Sequence, residues 1–236
     1  MNEVLKYINK IKSINDELLN TSSKASEVIK STNEFSHYFL IELTKHGWYV
    51  NSYFYITDFS WISEQIKSNN IELVNDFVIN NIKKNYELLK THTLTVFKEK
   101  ENIFKKAFYA FENFDYEYSI LIFLTQTDSI CKNLTGKRFF GREDKQPKTK
   151  KIASKHFNKN LFASAILQPL ADYGEINKSE SDYKNGEFNR HRIIHGEDVN
   201  FGSEINAYKM LSLIFYLTTL VLIKNDKTSP PDRTYL

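Results

Sequence analysis

The sequence predicts an all-α protein built as a helical bundle, and three observations carry that prediction. Only 7 Gly and 4 Pro punctuate 236 residues, too few for the many tight turns of a sandwich or barrel. Apolar residues recur at spacings near the helical period along most of the chain. The one aromatic and β-branched stretch, residues 48–59, is short and has no evident strand partner.

Val4, Leu5, Ile8, Ile11, Leu18 and Leu19 share one face of a first amphipathic helix. A second covers residues 26–45 and stops at Gly47, a natural C-terminal cap after Lys45 and His46. Residues 48–59 read as an extended connection that packs its rings on the helices. Thr57 or Asp58 caps a helix running through Ile66. Residues 71–90 continue the helical period with Leu73, Val74, Phe77, Val78, Ile82, Tyr86 and Leu89. Further helices fit residues 96–112, 117–134 and 159–171, and a final unit covers 188–223. A soft boundary near residue 110 separates an N-terminal region, 1–110, from a C-terminal helical part, 111–236, although the two can equally form one continuous domain.

The formal charge of +3 identifies no nucleic-acid binder by itself. The single cysteine, Cys131, makes no internal disulfide, and Ile122 and Ile130 nearby point to a packed thiol, which suits a reducing, cytoplasmic compartment. The start, MNEVLKYINK, has no signal-peptide core. The longest apolar run, 210–223, is shorter than the roughly 20 residues that span a bilayer. It reads as a buried helix, and no membrane association is expected.

Residues 135–155 break the helical pattern with Gly136, Gly141 and Pro147. They carry Lys137, Arg138, Arg142, Lys145, Lys148, Lys150, Lys151 and Lys155 against only Glu143 and Asp144. Such a segment is a solvated loop or attracts a phosphate backbone, with Phe139 and Phe140 available to stack on bases.

Chemistry concentrates in Phe188-Asn189-Arg190-His191-Arg192-Ile193-Ile194-His195-Gly196. An imidazole exchanges protons near neutral pH, and a guanidinium presents fixed donors that match a phosphate, so together they meet both needs of RNA transesterification. Arg190 and His195, with four residues between them and the polar His191 directly after the Arg, resemble the R-x4-6-H motif of the HEPN superfamily of helical ribonucleases. The glycine turn and long apolar helix that follow extend the likeness. Upstream, Asp128 and Lys132 fit an acidic-x3-basic pattern carried by many HEPN proteins, and their spacing puts both on one helical face.

The resemblance, which covers roughly residues 115–223, implies a metal-independent endoribonuclease acting on RNA, including tRNA, with no cofactor. His195 is then the general base or acid, and Arg190 stabilises charge on the phosphorane-like transition state. Asn189 and His191 orient the phosphate or the two key side chains. Asp128 holds an imidazole or Arg190, and Lys132, Lys137, Arg138, Arg142 and Arg192 contact RNA. It further implies a homodimer with the motifs facing a shared cleft, and a toxin or phage-defence role with an antitoxin or defence-system partner.

One geometric constraint accompanies this reading. Five positions apart on a regular helix, the two side chains diverge by about 140°, so Arg190 must lie near a helix start or irregular turn, or a second subunit must complete the site. Other readings of the same residues are plainer. Arg190 and Arg192 can pair with Glu187, Glu197 or Asp198, leaving a catalytically silent binding module or regulatory partner. His191 and His195, four apart, can share a metal with Glu197, Asp198 or Glu204, but Arg192 stands where a zincin helix has its Glu, and a cation beside a dication is unfavourable. His37, His46, His92 and His156 are scattered and read as surface or core-edge side chains. No nucleophile elbow and no phosphate-binding glycine loop occurs.

Overall fold

A computed structural model describes residues 39–143, 146–149, 168–170, 174–178 and 187–225. The helix expected over the first twenty residues, the first half of the second helix and most of 159–171 lie outside the described residues.

The chain is helical over 39–45, here α1, and ends there because Gly47, at φ +81°, adopts the left-handed conformation that other residues avoid. The Gly47 N–H donates to the Thr44 carbonyl and the Trp48 N–H to the Leu43 carbonyl, the paired bonds of a glycine-terminated helix. The connection that follows buries Trp48, Tyr49, Val50 and Phe54, as its ring content predicts. Helix α2 spans Ile56–Lys67, and Asp58 reaches back from its first turn to accept the Tyr55 N–H at 2.8 Å.

Helix α3 runs Ile71–Val96, more than a turn beyond the predicted end at residue 90. The β-branched Thr91, Thr93 and Thr95 weaken the sequence signal. Thr93, however, is fully buried, donates its hydroxyl to the Leu89 carbonyl and meets the Thr218 hydroxyl at 3.1 Å, so packing overrides propensity. A 3-10 turn, Lys98–Lys100, leads into α4, Glu101–Glu112. Helix α5, Tyr116–Thr135, is capped by Asp115 and ends at Gly136, φ +76°. The basic segment then forms a minimal antiparallel ladder, β1 (Arg142–Glu143) on β2 (Gln146–Pro147), with Arg142 opposite Pro147. A five-residue helix, α6 (Arg190–Ile194), and the long α7 (Glu204–Asn225) follow.

Apart from that ladder the described residues are helix and connection, so the fold is all-α. Helix α3 packs on α4, α4 on α5, α5 on α7 and α7 on α3, closing a four-helix ring, and α2 lies against α3. Residue 110 falls inside α4, and one hydrophobic core spans both sides of it: Phe108 stacks edge-on against Phe123 of α5 at 5.2 Å and face-on with Phe215 of α7 at 6.3 Å.

Helix α7 is apolar all round because it is buried all round. Met210, Leu211 and Leu213 to Leu217 have no exposed surface. The stretch Glu204–Leu222 has the length and hydropathy to cross a bilayer, yet 72% of that window is buried inside the protein, so it is the core helix of this bundle. Its hydroxyls are satisfied locally: Ser212, Thr218 and Thr219 donate to the carbonyls of Lys209, Ile214 and Phe215. Cys131 is buried among these helices, and burial pushes its thiol up to about 12, the inert state that its apolar neighbours predict.

Truncating the ring at the centre of this core tests the packing. Phe108→Ala is expected to lower the free energy of unfolding by about 3–5 kcal/mol, read from urea titrations followed by circular dichroism.

Candidate functional site

The nine-residue motif folds around a helix too short to stand alone, so neighbouring groups must place it. Asn189 is its N-cap: the side-chain oxygen accepts the N–H groups of His191 at 2.9 Å and Arg192 at 3.4 Å, and the side-chain nitrogen donates to the Lys178 carbonyl at 3.1 Å. Asn189 is buried, with both ends of its amide engaged. It therefore shapes the backbone from which His191 and Arg192 project. At the other end Gly196, φ +72°, donates to Ile193, while Glu197 donates to Arg192, so the helix closes with the same paired bonds as α1. Ile193 anchors the turn in the core.

The 3-10 turn Glu175–Asn177 clips this unit to the bundle. Glu175 is buried, its Oε1 accepts the Phe188 N–H at 2.9 Å, and its Oε2 takes Lys209 Nζ of α7 at 2.5 Å. Lys178 pairs with Glu187 at 2.5 Å, so four contacts join 175–178 to α7 and to the residues leading into α6. Gly47 makes room for the pair, since a Cβ there would sit 2.5 Å from Glu175 Oε2 and 2.7 Å from Lys209 Cδ.

Arg190 is the first residue of α6. Its guanidinium carbon lies 5.1 Å from the centre of the Phe140 ring, a cation–π contact. Its buried Nε has no hydrogen-bond partner, and no carboxylate among the described residues pairs with it. Phe140 is held in turn by Asp128 of α5, whose Oδ1 accepts the Phe140 N–H at 2.9 Å. Asp128 thus reaches Arg190 through Phe140 rather than by the direct contact expected of it. Phe139 and Phe140 are both buried and pack edge-on against each other at 5.0 Å, which corrects their reading as rings open to bases.

His195 sits at the helix end and is exposed. It turns to His191, also exposed, with ring centres 4.2 Å apart and planes tilted by 48°. The structure therefore joins His191 to His195 and Arg190 to Phe140 and Asp128, and places no contact between Arg190 and His195. Arg192 Nη1 stands 3.3 Å from Glu197 Oε2, the pairing foreseen in the plainer reading. Lys132, one turn beyond Asp128 on α5, is exposed, as are Lys137 and Arg138. Arg142 lies on the ladder, and Lys145, Lys150, Lys151 and Lys155 fall outside the described residues. Among the described residues no three His, Cys, Asp or Glu side chains gather closely enough to hold a metal ion.

Sequence reasoning missed the Glu175–Lys209 clip, whose partners lie 34 positions apart. The only signal was a lysine inside an otherwise apolar helix, which needs a buried counter-charge. Comparison of the chain with family models, with curated proteins and with solved structures gives no match.

Two measurements test this support. Glu175→Gln keeps an acceptor for Phe188 but leaves Lys209 without its carboxylate, so unfolding free energy is expected to fall by about 3–5 kcal/mol, the usual cost of breaking a buried pair. Adding Lys209→Met should recover most of the loss. The second concerns His46, whose imidazole is held below its ordinary value chiefly by burial, with Lys209 and Lys178 also lowering it against Glu175 and Glu42. The folded state then binds fewer protons than the unfolded one, so this contribution to stability is full above about pH 6.5 and is lost as the pH falls through the lower folded value. Thermal midpoints measured from pH 7.5 down to 5 should drop more steeply for the wild type than for His46→Gln.

Proposed function

We propose that this chain is a metal-independent endoribonuclease of HEPN type that cuts RNA by attack of the ribose 2′-hydroxyl. The observation that carries the reading is the placement of the motif. Arg190 opens a one-turn helix with part of its guanidinium unpartnered, while His195 closes the helix with its ring in solvent.

In this reading His195 takes the proton from the 2′-hydroxyl, O2′ attacks phosphorus, and the 5′-oxygen leaves with a returned proton, giving a 2′,3′-cyclic phosphate and a 5′-hydroxyl. His191, 4.2 Å away between ring centres, is the neighbour through which that proton can return. Arg190 stabilises the developing phosphorane charge, and Phe140, braced by Asp128, fixes where the guanidinium sits. Lys132, Lys137 and Arg138 offer exposed cations to the RNA backbone, and Arg142 is the further contact that the sequence suggests. Arg192, already paired with Glu197, contributes less charge.

Arg190 and His195 point to different neighbours, so the reading places the scissile phosphate between motifs of two copies in a homodimer. DNA, lacking the internal nucleophile, is not a substrate. A cytoplasmic toxin or phage-defence effector, acting on tRNA or other RNA and restrained by an antitoxin-like partner, is the role that fits such chemistry.

Purified protein incubated with total RNA or single-stranded DNA in EDTA tests the proposal. RNA should be cleaved to 2′,3′-cyclic phosphate ends and DNA left intact, with activity falling at least 100-fold in His195→Ala, the lower end for removing an acid–base group, and comparably in Arg190→Ala. Cleavage that persists in both variants, or none by folded wild-type dimer, assigns the motif to a binding module instead.

A further inference from the structure

His191 and His195 carry a second consequence that is independent of catalysis. They lie four residues apart on one side of α6, with ring centres 4.2 Å from each other, and both are exposed. Neither imidazole is held by a hydrogen bond from the described residues, while the backbone beneath them is fixed at three points: the Asn189 cap, the buried Ile193 and the Gly196 turn. Two imidazoles on a fixed turn form a chelate whose geometry is largely set in advance, because only side-chain rotation is needed to aim both ring nitrogens at one point.

We propose that His191 and His195 form a binding site for a divalent transition-metal ion of the zinc, copper and nickel class. Such an ion takes imidazole nitrogens at about 2.0–2.1 Å, which sets two tetrahedral nitrogens roughly 3.3 Å apart. Rings with centres 4.2 Å apart and planes tilted by 48° reach that arrangement by a modest opening about their side-chain bonds.

The sequence argues against a metal here because Arg192 lies between the two ligands. The structure removes that objection. Arg192 is drawn toward Glu197, 3.3 Å away across the Gly196 turn, and Arg190 packs over Phe140 on another side of the helix. Each cation thus has a partner of its own, Glu197 for Arg192 and the Phe140 ring for Arg190.

With no third His, Cys, Asp or Glu beside them among the described residues, the remaining coordination positions belong to water. The site is open and exchangeable, the opposite of a closed structural zinc site. Its nitrogen donors select against magnesium and calcium, which take oxygen.

The ion site goes beyond the nuclease reading and stands without it. If that reading holds, the same lone pairs cannot both bind an ion and accept a proton, so occupancy silences cleavage and chelators restore it.

Calorimetric titration of Zn2+ into the full chain, without RNA, tests the binding directly. Wild type is expected to bind one ion through this pair and to show no comparable uptake of Mg2+. His191→Ala and His195→Ala should each weaken Zn2+ binding by tenfold or more, since even an outer-sphere partner of a metal is worth about 10–100-fold. His92→Ala, on α3, should bind like wild type. Equal Zn2+ affinity in all four proteins, or no uptake by wild type, overturns the proposal. Failure of RNA cleavage leaves it untouched, because the readout needs no substrate.

Discussion

The way the motif is joined to the central helix turns on one buried ion pair. Glu175 and Lys209 meet at 2.5 Å with little solvent around either. Lys209 belongs to the central helix, and Glu175 belongs to a three-residue turn. Two charges removed from water tolerate each other only when their geometry is good and their remaining valences are filled. The second Glu175 oxygen is filled by the Phe188 N–H, the last backbone donor before the Asn189 cap. One carboxylate thus fixes where the motif enters its helix. Gly47 is the price of this arrangement, because any side chain there would occupy the space of the pair.

The motif residues divide into two groups that face different ways. Arg190 looks toward the bundle, over a ring that Asp128 holds from behind. His191 and His195 look toward solvent. A helix of five residues ending in a glycine turn produces this division directly, since the angular offset between positions 190 and 195 is not cancelled by any irregularity. The guanidinium and the two imidazoles therefore have different neighbours.

Much of the bundle was legible in the sequence because local signals and packing agree. Gly47, Gly136 and Gly196 stop helices where their positions say they must, with positive φ at each. The run from Met210 onward reads as a core helix and is one, and Cys131 is the packed thiol that its neighbours suggest. The extra turn of α3 was not legible, because one of the threonines that look like a helix end, Thr93, meets Thr218 from a helix more than a hundred positions away. Within the site, Arg190 and His195 were visible in the sequence together with the angular offset that parts them, but the neighbours each one takes were not. The ring beneath Arg190 was hidden for a related reason. Phe140 lies in a basic segment whose composition suggests solvent, and a single carboxylate on α5 turns it inward.

The position of α7 in the chain shapes how this protein comes to exist. Helices α3, α4 and α5 each bury one face against it or against one another, yet α7 follows them all and begins only at Glu204. On the ribosome α3, α4 and α5 emerge able to pack on one another, but the faces of α3 and α5 that α7 covers stay unpartnered until the segment around Leu217 has cleared the exit tunnel. During that interval, at synthesis rates of about 5–20 residues per second, the nascent chain shows chaperones a sticky, unfinished ring. Lys209 arrives with the same segment, so the clip on the motif closes in the step that completes the core. A chain interrupted before α7 lacks both the helix that closes the ring and the lysine that holds Glu175.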